Sequence, residues 1–124
     1  MEMIVMKYNV VNKNNESYII LNNNGTKISS EQDMLDIIGF CFESGVNSVA
    51  IDGNILSDEF YDLKTKILGM SLQKFINYNI RLAIIINEEK LLSDRFKELK
   101  LELNKGGNIR VCHSIEEAEI WLVK

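Results

Sequence analysis

Polar residues that could carry chemistry occur where three short apolar segments of the sequence end. Asp52, Asn87 and His113 each lie at such a point. If the segments are parallel strands of one sheet, their carboxyl ends share one edge, which is where ligands of open α/β sheets bind. The candidate rim for a ligand or a partner joins these residues to the polar residues after the first segment: Asp52, Asn54, Ser57, Asp58, Asp62, Asn87 and His113.

Two carboxylates of this rim have a chemical and a structural interpretation. Asp52 and Asp62 could orient a ligand or act as an acid and a base. Aspartates at strand ends and in first helical turns also commonly cap turns and complement the helix dipole. We favour the structural role. Under the chemical interpretation, Asp62→Ala should abolish the thermal shift produced by a bound metabolite.

The only histidine, His113, follows one of the two cysteines, Cys112. Adjacent strand residues point to opposite faces of a sheet, so the two side chains should not meet as a catalytic pair. We therefore assign His113 to a turn or cap, and we predict that Cys41 and Cys112 are buried thiols. Because the sequence has no CxxC pair, it indicates neither a disulfide framework nor a zinc site, and we assign no catalytic residue and no cofactor.

The charge balance argues against a nucleic-acid partner. The formal net charge is -4 and the pI is near 5.0, whereas phosphate-binding surfaces need clustered lysines and arginines. The longest apolar stretch, residues 82–86, is far shorter than the roughly 20 residues that span a bilayer. Residues 1–10 also lack a long apolar signal core. The sequence therefore predicts a cytoplasmic protein that binds neither nucleic acid nor membranes.

The length of 124 residues suits one domain, residues 1–124. Residues 3–11 and 17–21 are β-branched and aromatic runs separated by NKNNE, which predicts an antiparallel hairpin with a second turn at residues 22–25. Capping signals and helical periodicity predict helices over residues 30–45, 57–79 and 91–104 and from Ser114 onward, with strands over residues 46–52, 80–86 and 108–112. The order of elements is ββαβαβαβα, which predicts an α/β fold with helices packed on a mixed sheet.

This order of elements is similar to that of the STAS (SpoIIAA-like) domain of bacterial anti-anti-sigma factors and anion-transporter tails. More specifically, ILSDEFYDLKT at residues 55–65, LQKFINYNIRLAII at residues 72–85 and a last helix in which EEA precedes WL resemble the bacterial family called domain of unknown function 4180. That name assigns no activity, so the resemblance mainly implies a STAS-like fold.

The resemblance also bears on phosphorylation. STAS proteins switched by a kinase carry an Asp-Ser pair at the start of the helix after the central strand, but here Leu63 follows Asp62. The phosphoacceptor of those proteins is therefore missing from this position. Ser57 and Thr65 are alternative acceptors, but Ser57 is better explained as a helix cap and Thr65 as an exposed helix residue.

We predict two functions of different classes. The leading hypothesis is a non-enzymatic protein-interaction or regulatory module that binds a partner protein or forms a homodimer. It rests on the STAS-like layout and on the absence of a catalytic constellation from the sequence. The dense apolar pattern that includes Met70, Phe75 and Tyr78 could mark a subunit interface or an apolar ligand cavity, but we favour ordinary core burial. The alternative is a small-ligand-binding protein or enzyme that uses the rim. A flat exposed apolar patch would favour the first, and a concave pocket with convergent polar groups would favour the second.

Overall fold

A mixed five-stranded sheet forms the centre of the computed structural model, which describes residues 8–22, 27–87 and 92–123. Its strands lie side by side in chain order: β1 (Asn9–Lys13), β2 (Glu16–Leu21), β3 (Ser48–Asp52), β4 (Arg81–Ile85) and β5 (Ile109–Cys112). β1 is antiparallel to β2, and β2 through β5 are parallel to their neighbours. The predicted mixed sheet with an antiparallel edge is confirmed.

The hairpin turns more tightly than the sequence suggests. Lys13 pairs with Glu16, so only Asn14 and Asn15 remain in the loop. Their φ angles are 53° and 66°, a left-handed conformation that asparagine tolerates and that two-residue hairpins require. The strands therefore extend into the polar NKNNE segment. Residues 3–7 of the predicted first strand and residues 23–25 of the predicted second turn lie outside the described residues.

Two of the helices start at serines that form the predicted side-chain caps, Ser30 and Ser114. α1 (Glu31–Ser44) follows Ser30, whose Oγ accepts a hydrogen bond from the Asp33 N–H at 3.2 Å. α5 (Ile115–Leu122) begins in the same way after Ser114. α4 (Asp94–Lys105) is also capped by a serine, Ser93, which the sequence prediction did not single out. α1 ends at Gly45, whose φ of 71° is left-handed, so the predicted start and stop of this helix are confirmed.

The single helix predicted over residues 57–79 is wrong. The segment contains a one-turn helix α2 (Asp58–Tyr61), a 3-10 turn (Leu63–Thr65) and a longer helix α3 (Ile67–Asn77). The Thr65 hydroxyl donates to the carbonyls of Glu59 and Asp62 at 2.7 and 2.9 Å, and Lys66 is left-handed with a φ of 64°. These local bonds replace helical ones and redirect the chain.

Each face of the sheet carries its own apolar layer. Because the parallel strands are neighbours in chain order, right-handed crossovers place α1, α3 and α4 on one face. Their buried side chains, such as Met34, Phe75 and Phe96, join Val49 and Leu82 of the sheet in the larger cluster. On the other face α5 packs, as the only helix among the described residues, over a smaller cluster of seven buried residues: Tyr18, Ala50, Ala83, Cys112, Ala118, Trp121 and Leu122.

Two arginines lie near the Trp121 ring on the α5 face. The Arg81 guanidinium lies 4.2 Å from the centre of the Trp121 ring, and that of Arg110 lies at 5.5 Å. Arg81 also donates to the carbonyls of Trp121 and Leu122 at 2.7 and 3.3 Å. A cation placed on free carbonyls at a helix C-terminus is favourable, so Arg81 fastens the end of α5 to the sheet.

The edge strand β5 is covered by a side chain of α4. The Asn104 side-chain oxygen accepts from the Val111 N–H at 2.8 Å, and its amide nitrogen donates to the Val111 carbonyl at 3.2 Å. These are the groups that point away from β4 in the parallel ladder. One asparagine thus replaces part of a missing neighbouring strand.

Both cysteines are buried, as predicted. Burial raises the pKa of the Cys41 thiol to about 11 and is the main reason that the pKa of Cys112 is also about 11. Thiols with such pKa values are poor nucleophiles near neutral pH. In the described ranges, no helix is both long and apolar enough to cross a membrane.

Candidate functional site

The carboxyl edge of the parallel strands carries two open concavities on either side of the end of β4. One lies on the side of α2 and α4 and has a volume of about 300 Å³; we call it the Lys27 concavity. The other lies beside the start of α5, has a volume of about 530 Å³ and is called the His113 concavity. Ile85 and Asn87 line both, so the two share a wall.

The Lys27 concavity combines polar groups with an apolar wall. Three residues of the predicted rim, Asn54, Asp58 and Asn87, line it together. The other lining residues do not belong to the predicted rim: Lys27, Gly53, Leu56, Tyr61, Ile85, Ile86 and Leu92. A concave surface with a few convergent polar groups and an apolar side has the character of a small-molecule site.

Gly53 and Tyr61 form the inner wall of this concavity. Asp52 accepts a hydrogen bond from the Asn54 N–H at 2.9 Å, which turns the chain after β3. The Tyr61 hydroxyl donates to the Gly53 carbonyl at 2.6 Å, while its ring packs 5.3 Å from that of Phe96. A glycine directly after a strand end can indicate close backbone approach, and this signal in the sequence could have identified Gly53.

Lys27 reaches the concavity through a long-range pairing. The Ile28 N–H donates to the Ile55 carbonyl at 2.7 Å, and the Ser57 N–H donates to the Ile28 carbonyl at 2.8 Å. This bridge brings the segment before α1 against the turn after β3. The Lys27 ammonium then donates to the Asn54 carbonyl at 3.4 Å. No local sequence pattern encodes this contact.

Two further predicted rim residues have other positions. Asp62 lines neither concavity, and it accepts from the Lys64 N–H at 3.1 Å to cap the 3-10 turn. Ser57 is buried at the start of α2 and makes no side-chain capping bond to that helix. Asp52 and Asp62 both have the capping geometry of the structural interpretation, although Asp52 also lines the His113 concavity.

The His113 concavity is acidic on one side. Asp52, Asn87 and His113 of the predicted rim line it, together with Glu116 and the Ser114 cap of α5. The backbone N–H of His113 donates to the Glu117 carboxylate at 2.9 Å. Cys112 is buried below while His113 is exposed, so the two side chains point apart as predicted. Among the described residues, no group of three or more His, Cys, Asp and Glu side chains could hold a metal ion.

The environment of Tyr61 predicts a pH-dependent stability at this wall. Burial, followed by the charges of Asp52 and Asp58, raises the pKa of Tyr61 from 10.0 to about 12. The unfolded chain therefore loses this proton first as the pH rises. The contribution of Tyr61 to stability is complete below pH 10 and is lost as the pH rises through about 12.

Tyr61→Phe should therefore flatten the alkaline decline in the free energy of unfolding between these two pKa values. Urea titrations of both proteins at a series of alkaline pH values measure the difference. Tyr78→Phe is the matched control, because the Tyr78 side chain is 52% exposed and lies after α3, away from this wall. An identical alkaline decline in the wild type and Tyr61→Phe would contradict the assignment.

These features define a small α/β domain with a mixed sheet, helices on both faces and a polar rim at the carboxyl edge. The chain belongs to the family described as domain of unknown function DUF4180, whose model matches residues 13–122. No curated protein and no solved structure gives a significant match. The match covers β2 through β5 and only the last residue of β1.

Proposed function

We propose that this domain is a non-enzymatic module of the STAS-like kind that binds a small polar ligand at the carboxyl edge of its sheet. The observation that carries the proposal is the Lys27 concavity, where Lys27, Asn54, Asp58 and Asn87 surround one space of about 300 Å³. Ligand pockets span about 300 to 1,000 Å³, so the ligand is small. This site lies where open parallel sheets bind their ligands.

The side chains of this concavity serve binding better than bond-breaking chemistry. The raised pKa of Tyr61, about 12, keeps its hydroxyl protonated, and this hydroxyl already donates a hydrogen bond to the Gly53 carbonyl. General acid–base catalysis works best when the acid or base has a pKa near the working pH. That group must also lie within hydrogen-bond reach of the proton that it transfers. Neither cysteine belongs to the described lining of the concavity, and both buried thiols have pKa values near 11.

The experiment is a thermal-shift screen of polar metabolites against a protein whose concavity has been filled. A ligand whose free concentration is about 100 times its Kd stabilises the folded state by about 2.7 kcal/mol. Such a stabilisation raises Tm by several degrees. Asn54→Trp places a bulky ring at the exposed lining position and should abolish the shift whatever the ligand's polar contacts. Asp62→Trp is the matched control, because Asp62 lines neither concavity, and it should preserve the shift.

A screen without hits, or a shift that persists in Asn54→Trp, would overturn the proposal. A shift lost equally in both tryptophan variants would also contradict it, since the effect would then be unrelated to the concavity. Mass measurement of the purified protein under native conditions adds an independent check. A retained small molecule that is absent from Asn54→Trp is the expected result.

A protein-interaction module is the second candidate, and one observation favours it. At the other end of the sheet, Phe42 of α1 and Tyr78 after α3 form an edge-to-face pair with ring centres 5.5 Å apart. Their side chains are 66% and 52% exposed, which is unusual for large aromatic residues next to each other. A dimer that Phe42→Ser dissociates, together with no ligand at the rim, would favour this function.

A further inference from the structure

We propose that the ligand of the Lys27 concavity is a zwitterion of the free amino acid class, held by its carboxylate at Lys27 and by its ammonium group at Asp58. The inference rests on the proposed function and names the chemistry of that site. It begins from one arrangement: an exposed cation and an exposed anion line the same small space. No ion pair joins Lys27 to Asp58 within the described residues.

The cationic end of the concavity has spare hydrogen-bonding capacity. The Lys27 ammonium carries three donors, and one of them makes a long bond of 3.4 Å to the Asn54 carbonyl. A ligand carboxylate would be a charged acceptor for the free donors, and such bonds are stronger than those between neutral groups.

The anionic group lines the same space. The Asp58 carboxylate is exposed in the first turn of α2, and its charge reaches the Tyr61 hydroxyl, where it helps to raise the pKa. No described donor bonds to its side chain, in contrast to Asp52 and Asp62, whose carboxylates cap backbone N–H groups. An ammonium group, with three donors, complements this acceptor.

The rest of the lining narrows the choice of ligand. A phosphate-bearing ligand needs several donors or cations, but Lys27 is the only basic residue in the described lining and Asp58 would repel it. The volume of about 300 Å³ lies at the lower end of ligand pockets, which suits a small metabolite better than a nucleotide. Leu56, Ile86 and Leu92 supply an apolar wall for an uncharged side chain.

The test measures binding of each proteinogenic L-amino acid by calorimetry, together with the methyl ester and the N-acetyl derivative of the best ligand. Lys27→Met should weaken binding of the free amino acid about tenfold or more, because a charged hydrogen bond is lost. It should hardly affect the methyl ester, which lacks the carboxylate charge. Asp58→Asn should weaken binding of the free amino acid to a similar extent. It should hardly change binding of the N-acetyl derivative, which lacks the ammonium charge.

This pattern separates the two proposals. If a non-zwitterionic metabolite binds and Asn54→Trp abolishes its binding, the rim is a ligand site and the zwitterion inference is wrong. If amino acids bind but Lys27→Met and Asp58→Asn weaken the free form and its derivatives equally, the assigned charge contacts are wrong. If no probe of either kind binds, both proposals fail. Circular dichroism of the two exposed-site variants should match that of the wild type and confirms that they are folded.

Discussion

Gly53→Ala should lower the free energy of unfolding by about 2–4 kcal/mol. A Cβ atom at this position would lie 2.7 Å from the Ile85 carbonyl oxygen and 2.8 Å from the Tyr61 hydroxyl, both closer than van der Waals contact allows. Overpacking typically costs about 1–3 kcal/mol, and displacing Tyr61 from the Gly53 carbonyl loses a hydrogen bond worth about 1 kcal/mol. Urea denaturation followed by circular dichroism measures the change.

Two other glycines provide matched controls for this substitution. At Gly39 of α1 and Gly69 of α3, an added Cβ would meet nothing within 4 Å. Alanine there should be neutral or stabilise by up to about 1 kcal/mol, because glycine is unfavourable inside a helix. The Gly53→Ala/Tyr61→Phe double variant should stay destabilised, since the Ile85 oxygen belongs to the backbone. A neutral Gly53→Ala would show that the wall of the Lys27 concavity is looser than these distances indicate.

Trp121→Ala should destabilise the fold by about 3–5 kcal/mol, the usual cost of removing a buried aromatic ring. Trp121 is only 7% exposed and belongs to the one apolar cluster under α5. The same change removes the ring on which Arg81 stacks, while the backbone carbonyls that Arg81 binds remain. Because Trp121 is the only tryptophan, unfolding should be followed by circular dichroism rather than by intrinsic fluorescence.

The neighbouring residue supplies the control for this prediction. Ile120 lies on the same helix but is 68% exposed, so Ile120→Ala should change the free energy of unfolding by less than about 0.5 kcal/mol. Trp121→Phe should lower the free energy of unfolding less than Trp121→Ala does, because a phenyl ring still fills part of the space. Equal effects at positions 120 and 121 would mean that α5 is not anchored through its tryptophan.

The sheet could be predicted from the sequence because its signals are local. Apolar runs bounded by polar turns gave strands close to their observed limits, and Ser30 and Ser114 marked helix starts through side-chain bonds to residues three positions later. The break after α2 was not predictable in this way. Phe60 and Leu68 are both buried on one continuous apolar face, so the helical period persists through a segment whose backbone is not helical.

The candidate site was predictable only in part for a related reason. The rule that ligands bind beyond the carboxyl ends of parallel strands correctly selects Asn54, Asp58 and Asn87 as neighbours. It cannot supply Lys27, which arrives through the Ile28 bridge, or Leu92, which precedes α4. It also groups Asp62 with the rim, because the rule does not anticipate that the chain turns away at the 3-10 segment.

Asn104 of α4 affects whether the edge strand β5 can associate with other protein molecules. Edge strands with open backbone groups can recruit foreign strands and start aggregation. At Val111 both outward groups are already occupied by the Asn104 amide, so an incoming strand would first have to break two hydrogen bonds. The Asn104 side chain thus blocks strand addition at Val111, where it occupies both outward backbone groups of β5.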